Sequence, residues 1–212
     1  MSPSTIEGHD RAPWSLPLFP LRTVLFPGGL LPLKVFEQRY IEMTKACLRD
    51  ERPFGVCLIT QGDEVARGDG AFPEIAKIGT LARIASVDMP QMGILHLSTE
   101  GGARFEVRDH APDALGILVA SVTPIDDEPR HPLAATYAPL ARLLEVIATR
   151  LGASHFPAAA HYGDASWVGY RLAELLPLPL SIKQSMLEVS DANVRLAALK
   201  QYCERQGLLQ AV

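Results

Sequence analysis

The sequence predicts an α+β protein in two lobes, β-rich over residues 14–125 and all-helical over residues 133–212. Three observations carry this reading. Short apolar runs broken by Pro and Gly follow one another from Leu16 to Ile125, the pattern of a small antiparallel barrel or sandwich. Asp126-Asp-Glu-Pro-Arg-His-Pro132 then replaces apolar residues with charge and proline, as a linker does. Beyond it, apolar residues recur at steps of three and four, the period of an amphipathic helix. Strands followed by helices, not alternating with them, make the class α+β.

Residues 1–13, MSPSTIEGHDRAP, contain no apolar segment and read as a flexible tail. The chain is organised around Leu16 to Tyr40. Pro17, Pro20, Pro27 and Pro32 fall among its apolar residues, and each fixes φ and removes a backbone donor, so the stretch is not one helix. Pro27-Gly28-Gly29 is a turn signal. After it, Leu31, Leu33 and Val35 alternate with Leu30, Pro32 and Lys34, as in a strand. From Phe36 to Asp50 the period turns helical, with Phe36, Tyr40, Met43 and Cys47 on one stripe. Arg52-Pro53 ends it.

Phe54 to Thr60 is a continuous apolar run of strand length, which reads as buried on both faces. Gln61 to Phe72 is polar and Gly-rich, a surface loop. Strands follow at Lys77 to Val87, Gly93 to Thr99, Ala103 to Arg108 and Leu115 to Ile125. Asp88 to Gly93 and Glu100-Gly101-Gly102 read as the turns between them. In the third of these strands Phe105 and Val107 point inward and Arg104, Glu106 and Arg108 outward.

Residues 126–132 form the linker. In the helical part, Leu133, Tyr137, Leu140, Leu144, Ile147 and Leu151 make one apolar face, in which Pro139 either kinks the helix or marks its start. Gly152 to Gly163 is a loop. Asp164 caps a second helix to Leu176, ended by Pro177 and Pro179. Ser181-Ile-Lys-Gln184 has capping-box spacing and opens a short helix. Ser190 or Asp191 caps the last one, which stops at Gly207.

Composition narrows the function classes. A formal net charge of −4 is not the basic footprint of a nucleic-acid binder. Three scattered cysteines, Cys47, Cys57 and Cys203, in a chain opening without a signal peptide read as reduced thiols in a cytoplasm. No apolar run approaches the ~18 residues of a membrane span. There is no GxxxxGK[ST] loop, GxGxxG turn, GxSxG elbow or HExxH helix, so neither a nucleotide cradle nor a catalytic constellation is expected. No cofactor and no metal are expected either. His155 and His161 lack helical ligand spacing, although with Asp164 they are the one candidate metal cluster.

The opening pattern P-L-F-P-L-R-x-V-L-F-P-G-x-x-x-P-L-x-V-F-E-x-R-Y resembles the Lon-protease N-terminal (substrate-binding) domain family. Ile78-Gly-Thr-Leu-Ala-Arg-Ile84 looks like the family's VGTxAxI strand, and Gly102 to Val107 like its G-x-x-R-F-x-[IV] strand with the Arg one position early. Leu175-Leu-Pro-Leu178, Ser181 to Glu188 and the trio Asp191, Arg195 and Leu196 resemble its helical part. The resemblance implies a PUA-like antiparallel β pseudo-barrel followed by a C-terminal helical bundle. In Lon this region precedes an ATPase and a peptidase and helps recognise unfolded or tagged polypeptides; a related domain occurs in cereblon. The implied function is a stand-alone, non-enzymatic polypeptide-binding module. An RNA-binding PUA-like module is the alternative, with Arg104 and Arg108 as its phosphate contacts.

The residues expected to face a peptide are Phe19, Leu21, Arg22 and Phe26 in the stiff opening loop, and Glu37, Arg39 and Tyr40 at the helix start. Met89 and Met92 join them at a hairpin tip where adaptable side chains suit varied partners. Glu37 and Arg39 have a second reading as a local ion pair, and Phe19 and Phe26 one as plugs of the barrel. The methionines have one as side chains folded back on it.

Overall fold

The computed structural model describes residues 13–63, 72–152, 156 and 159–210. Residues 1–12 of the expected tail (1–13) and most of the polar loop (64–71) lie outside the described residues, as does His155.

Among the described residues seven strands form the β part: β1 (Trp14–Leu21), β2 (Leu30–Val35), β3 (Phe54–Gln61), β4 (Glu74–Ile75), β5 (Ile78–Gln91), β6 (Ile94–Pro112) and β7 (Leu118–Pro124). One helix, α1 (Gln38–Arg49), lies between β2 and β3. The order β1-β7-β6-β5-β3, with β1 pairing back onto β3, closes a small barrel. Every ladder is antiparallel except that β1–β3 seam, where the intervening β2 and α1 return the chain in the same direction. β3 is buried on both faces, as its unbroken apolar run implies, because Val56, Cys57 and Leu58 each enter a different cluster.

β5 and β6 are longer than their sequence pattern suggests. The turn between them is Met92-Gly93 alone, flanked by the Gln91–Ile94 pair, with Gly93 at φ +80°. Glu100-Gly101-Gly102 is not a turn: β6 runs through it. Gly101 is there for close approach. Its backbone exchanges hydrogen bonds with the opening loop, Gly28 N–H to Gly101 O at 2.7 Å and Gly101 N–H to Gly29 O at 2.8 Å, and a Cβ would collide with the Phe26 carbonyl. β7 starts late because Asp113 accepts from the Leu115 and Ile117 amides and closes a turn first.

Four helices follow: α2 (Ala138–Leu151), α3 (Ala165–Leu175), α4 (Leu180–Glu188) and α5 (Ala192–Arg205). Pro139 sits in the first turn of α2 and so marks its start. Asp164 and Asp191 cap α3 and α5 by accepting from the Trp167 and Asn193 amides. The capping box at Ser181 does not form. α4 already begins at Leu180, and Gln184 instead donates to the Ile78 carbonyl of β5. The helices enclose Leu140, Leu144, Val168, Leu172, Leu187, Leu196 and Leu199, and Phe26 and Leu58 of the β part enter the same core.

Candidate functional site

The opening loop between β1 and β2 lies between the two parts of the molecule. Leu25 packs with α1 and the barrel, whereas Phe26, fully buried, packs against the helices with its ring 5.8 Å from that of Tyr170. Thr80 donates to the Leu25 carbonyl at 2.6 Å. Arg171 of α3, itself fully buried, donates to the carbonyls of Pro27 and Gly28 at 2.9 and 2.8 Å. This corrects one expectation: Phe26 is an inter-lobe plug, not a surface residue.

The other residues expected to face a peptide separate into four groups. Phe19, Leu21 and Tyr40 are buried, with the Phe19 and Tyr40 rings stacked at 4.1 Å. Arg39 covers the Tyr40 ring at 4.5 Å, pairs with Glu37 at 3.0 Å and donates to Gly116 O at 2.8 Å. Arg22 is exposed and donates to Gly62 O at 2.6 Å, beside Asp63. Met89 and Met92 are open to solvent, Met92 at 93% exposure, so they do not fold back on the barrel. Phe19, Leu21, Glu37 and Tyr40 do meet: with Leu33, Val35 and Phe36 they line a cleft of about 90 Å³, enough for a side chain but not for a drug-sized ligand.

Phe36 was expected on the helical stripe. It precedes α1 instead and is 56% exposed at the mouth of that cleft. The β2–β6 register pairs Val35 with Leu95, and the β5–β6 register pairs Gln91 with Ile94. Phe36 therefore stands at the same end of the β2–β6–β5 sheet as Met89 and Met92. These three exposed apolar side chains form one tip.

A second constellation lies between the lobes, beside a cleft of about 460 Å³. Glu128, in the segment that the sequence marks as a charged linker, has a side chain only 4% exposed. Its carboxylate accepts from Tyr170 at 2.6 Å, from Ser166 at 2.8 Å and from both terminal nitrogens of Arg195. Arg195 is fully buried, lies 3.9 Å from the centre of the Tyr170 ring and also donates to Met186 O and Val189 O. Arg104, expected outward and solvated, is 3% exposed; it donates to Leu187 O at 2.8 Å and lies 3.8 Å from Glu128. Burial alone would raise the Glu128 pKa. The hydrogen bonds from Arg195 and Tyr170, the attraction of Arg195 and the Ser166 hydroxyl outweigh it and hold the carboxyl below its ordinary value.

The family model of the ATP-dependent protease La (LON) substrate-binding domain matches residues 15–204. The chain belongs to this family. A Lon N-terminal domain protein from Xanthomonas campestris, whose crystal structure is known, superimposes with a TM-score of 0.72 at 35% identity, over 89% of this chain and 98% of that one. The N-terminal domain of a Mycobacterium avium complex Lon protease has the same fold, with a TM-score of 0.59 at 17% identity, over 90% of this chain and 98% of that one. Lon protease of Anaeromyxobacter dehalogenans is 27% identical over 97% of this chain, and Lon protease 2 of Myxococcus xanthus 28% identical over 97%. The chain spans about a quarter, 25%, of the length of these two relatives.

In this Lon substrate-binding domain the most recognisable motif residues are largely structural. The opening Phe-Pro-Gly supplies the plug and the carbonyls that Arg171 grips. Arg195 of the closing motif is the buried partner of Glu128. Arg104 is inside, and Arg108 pairs with Glu106 at 3.1 Å, so the two arginines considered for phosphate contact are not a free pair. Asp164 caps α3 and His161 lies edge-on to Trp167 at 6.1 Å. Among the described residues no helix is long and apolar enough to cross a membrane.

Proposed function

We propose that this Lon substrate-binding domain is a non-catalytic module that binds unfolded or tagged polypeptide segments at the tip formed by Phe36, Met89 and Met92, and that it does so in the cytoplasm. The observation that carries this is Met92. At 93% exposure in a two-residue turn it contributes nothing to the core, and a polar residue would serve the turn equally well. Contiguous apolar side chains left in water mark contact surfaces. Methionines adapt to partners of different shape. The shallow cleft behind Phe36, floored by Phe19 and Tyr40, takes one side chain of the bound segment. Its rim carries a single basic residue, Lys34, beside a Glu37 already paired with Arg39, which is too little positive charge for a phosphate backbone.

The test is fluorescence anisotropy with a labelled unfolded polypeptide, its folded counterpart and an RNA oligonucleotide. Saturable binding of the unfolded chain alone is expected, weakened at least about tenfold in the M92E/F36S double variant, which removes buried apolar contact at the tip. Binding of RNA alone, or unfolded-chain binding that ignores the double variant, overturns the assignment.

A further inference from the structure

We propose that a bound polypeptide segment adds as a strand to the open edge of β5 between Arg83 and Val87; this rests on the polypeptide-binding reading and names its mode. β3 pairs with β5 only at Val56–Thr80, Gly55–Leu81 and Phe54–Ala82, after which its chain turns away through Pro53. From Arg83 onward β5 is paired with β6 alone among the described residues. Its Ala85, Ser86 and Val87 are exposed. Among the described residues no strand takes up that side of β5, and an extended segment would pair with it on either side of the bulge that the β5–β6 register places between Ile84 and Ser86.

The edge is open over a limited length. At its far end the Met89 amide is taken by the Asp88 carboxylate at 2.8 Å, and Pro90 has no donor. Those two features protect the tip from indiscriminate pairing and leave Arg83 to Val87 available. The same edge borders a groove of about 650 Å³. Leu81, Arg83 and Ile84 of β5 line it together with Glu100 and Gly102 of β6, so the groove lies over the β5–β6 ladder beside this edge; Cys47, Leu48 and Pro53 form its opposite wall.

A strand laid there continues the line of β3 beyond Phe54. Its side chains alternate between the groove and solvent. The chemistry selects an extended segment with an apolar residue at every second position. Arg83 and Glu100 are paired at 2.6 Å, and Glu51 and Arg52 add one further charge of each sign, so the groove carries equal numbers of acidic and basic side chains. A strand running along this edge leads directly to Met89, which joins the edge and the tip into one track.

The experiment titrates the full chain with a reduced, carboxymethylated, permanently unfolded lactalbumin chain, and follows anisotropy together with amide hydrogen exchange at single residues. Saturation is expected to slow exchange at β5 amides between Arg83 and Val87, on both sides of the bulge at Ala85. Ala85→Pro, which removes a donor and blocks pairing, is expected to weaken binding at least about tenfold. Should Ala85→Pro fail to fold, the exchange pattern of the unaltered chain decides. Binding with protection confined to the Phe36 and Met92 region overturns the strand mode and leaves the tip intact. Absence of any binding ends both readings. A protein that sediments as an edge-paired dimer before the probe is added, with the same amides already protected, overturns the proposal in favour of a second copy.

Discussion

Glu128→Gln isolates the charge that holds the two lobes together. Glutamine keeps the size of the side chain and one carbonyl acceptor, but leaves Arg195, fully buried, and Arg104, 3% exposed, without their counter-charge. Breaking a buried ion pair from one side costs about 3–5 kcal/mol, and we expect the lower part of that range because Tyr170 or Ser166 can still donate to the amide oxygen. The surface pair Arg83–Glu100, with side chains 73% and 42% exposed, is the control; Glu100→Gln should change stability by less than about 1 kcal/mol. The assay is urea unfolding followed by circular dichroism. Its pH dependence supplies a sign. The folded pKa of Glu128 lies below the unfolded one, so its stabilisation is present above the unfolded value and lost as pH falls through the folded value. The gap between wild type and E128Q is therefore full at neutral pH and narrows below about pH 4, where the carboxyl becomes as neutral as the amide. A neutral-pH gap under about 0.5 kcal/mol, or one that persists in acid, would refute the account of the pair as an unscreened buried charge.

Phe26→Ala should cost about 3–5 kcal/mol in the same urea assay, because Phe26 is fully buried at the lobe junction; a loss under about 1 kcal/mol would mean that it is no plug. Trp14 in β1 and Trp167 in α3 place one fluorophore in each lobe, and single-tryptophan variants W14F and W167F should report coincident unfolding midpoints, since Arg104, Glu128, Arg171 and Arg195 tie the lobes into one cooperative unit. Resolved midpoints would show independent lobes. Burial pushes the Cys57 thiol up to about 12, the Cys203 thiol up to about 11 and the Cys47 thiol above its ordinary value, so Ellman's reagent should react slowly with all three in the native protein near pH 8 and fully in urea. Rapid native labelling would contradict the burial of these thiols.

The strands and helices were legible because each presents its apolar residues at its own period. β3 and the α2 face Leu140–Leu144 needed no other information. Gly101 was misread as a turn residue because a glycine serving close backbone approach is indistinguishable in sequence from one serving a bend. The charged network was missed for a different reason. Arg104 does point away from the barrel, as its alternation with Phe105 implies, but the helical lobe covers that face. Periodicity within one strand cannot tell water from a second lobe. Glu128 was hidden by its neighbours, since Asp126 and Asp127 on the same segment are exposed. The one available signal was Arg171 and Arg195 lying inside apolar helix runs, which calls for buried acceptors in another part of the chain.

That distribution separates stability from recognition. Among the described residues the buried arginines tie one part of the molecule to another: Arg104 reaches the α4–α5 connection, Arg171 the opening loop, and Arg195 the linker carboxylate. The β2–β6–β5 sheet carries no such tie at its far end, where the side chains from Val87 to Met92 are exposed. A partner binding there disturbs no buried pair and meets a backbone already held by β6 on one side. Sequence change at the tip is then cheap for the fold and free to follow the partner. Substitution of Met92 by serine should accordingly move the urea midpoint by less than about 0.5 kcal/mol equivalent, the range of surface replacements. If Met92→Ser destabilises as Phe26→Ala does, the tip belongs to the core and not to a ligand.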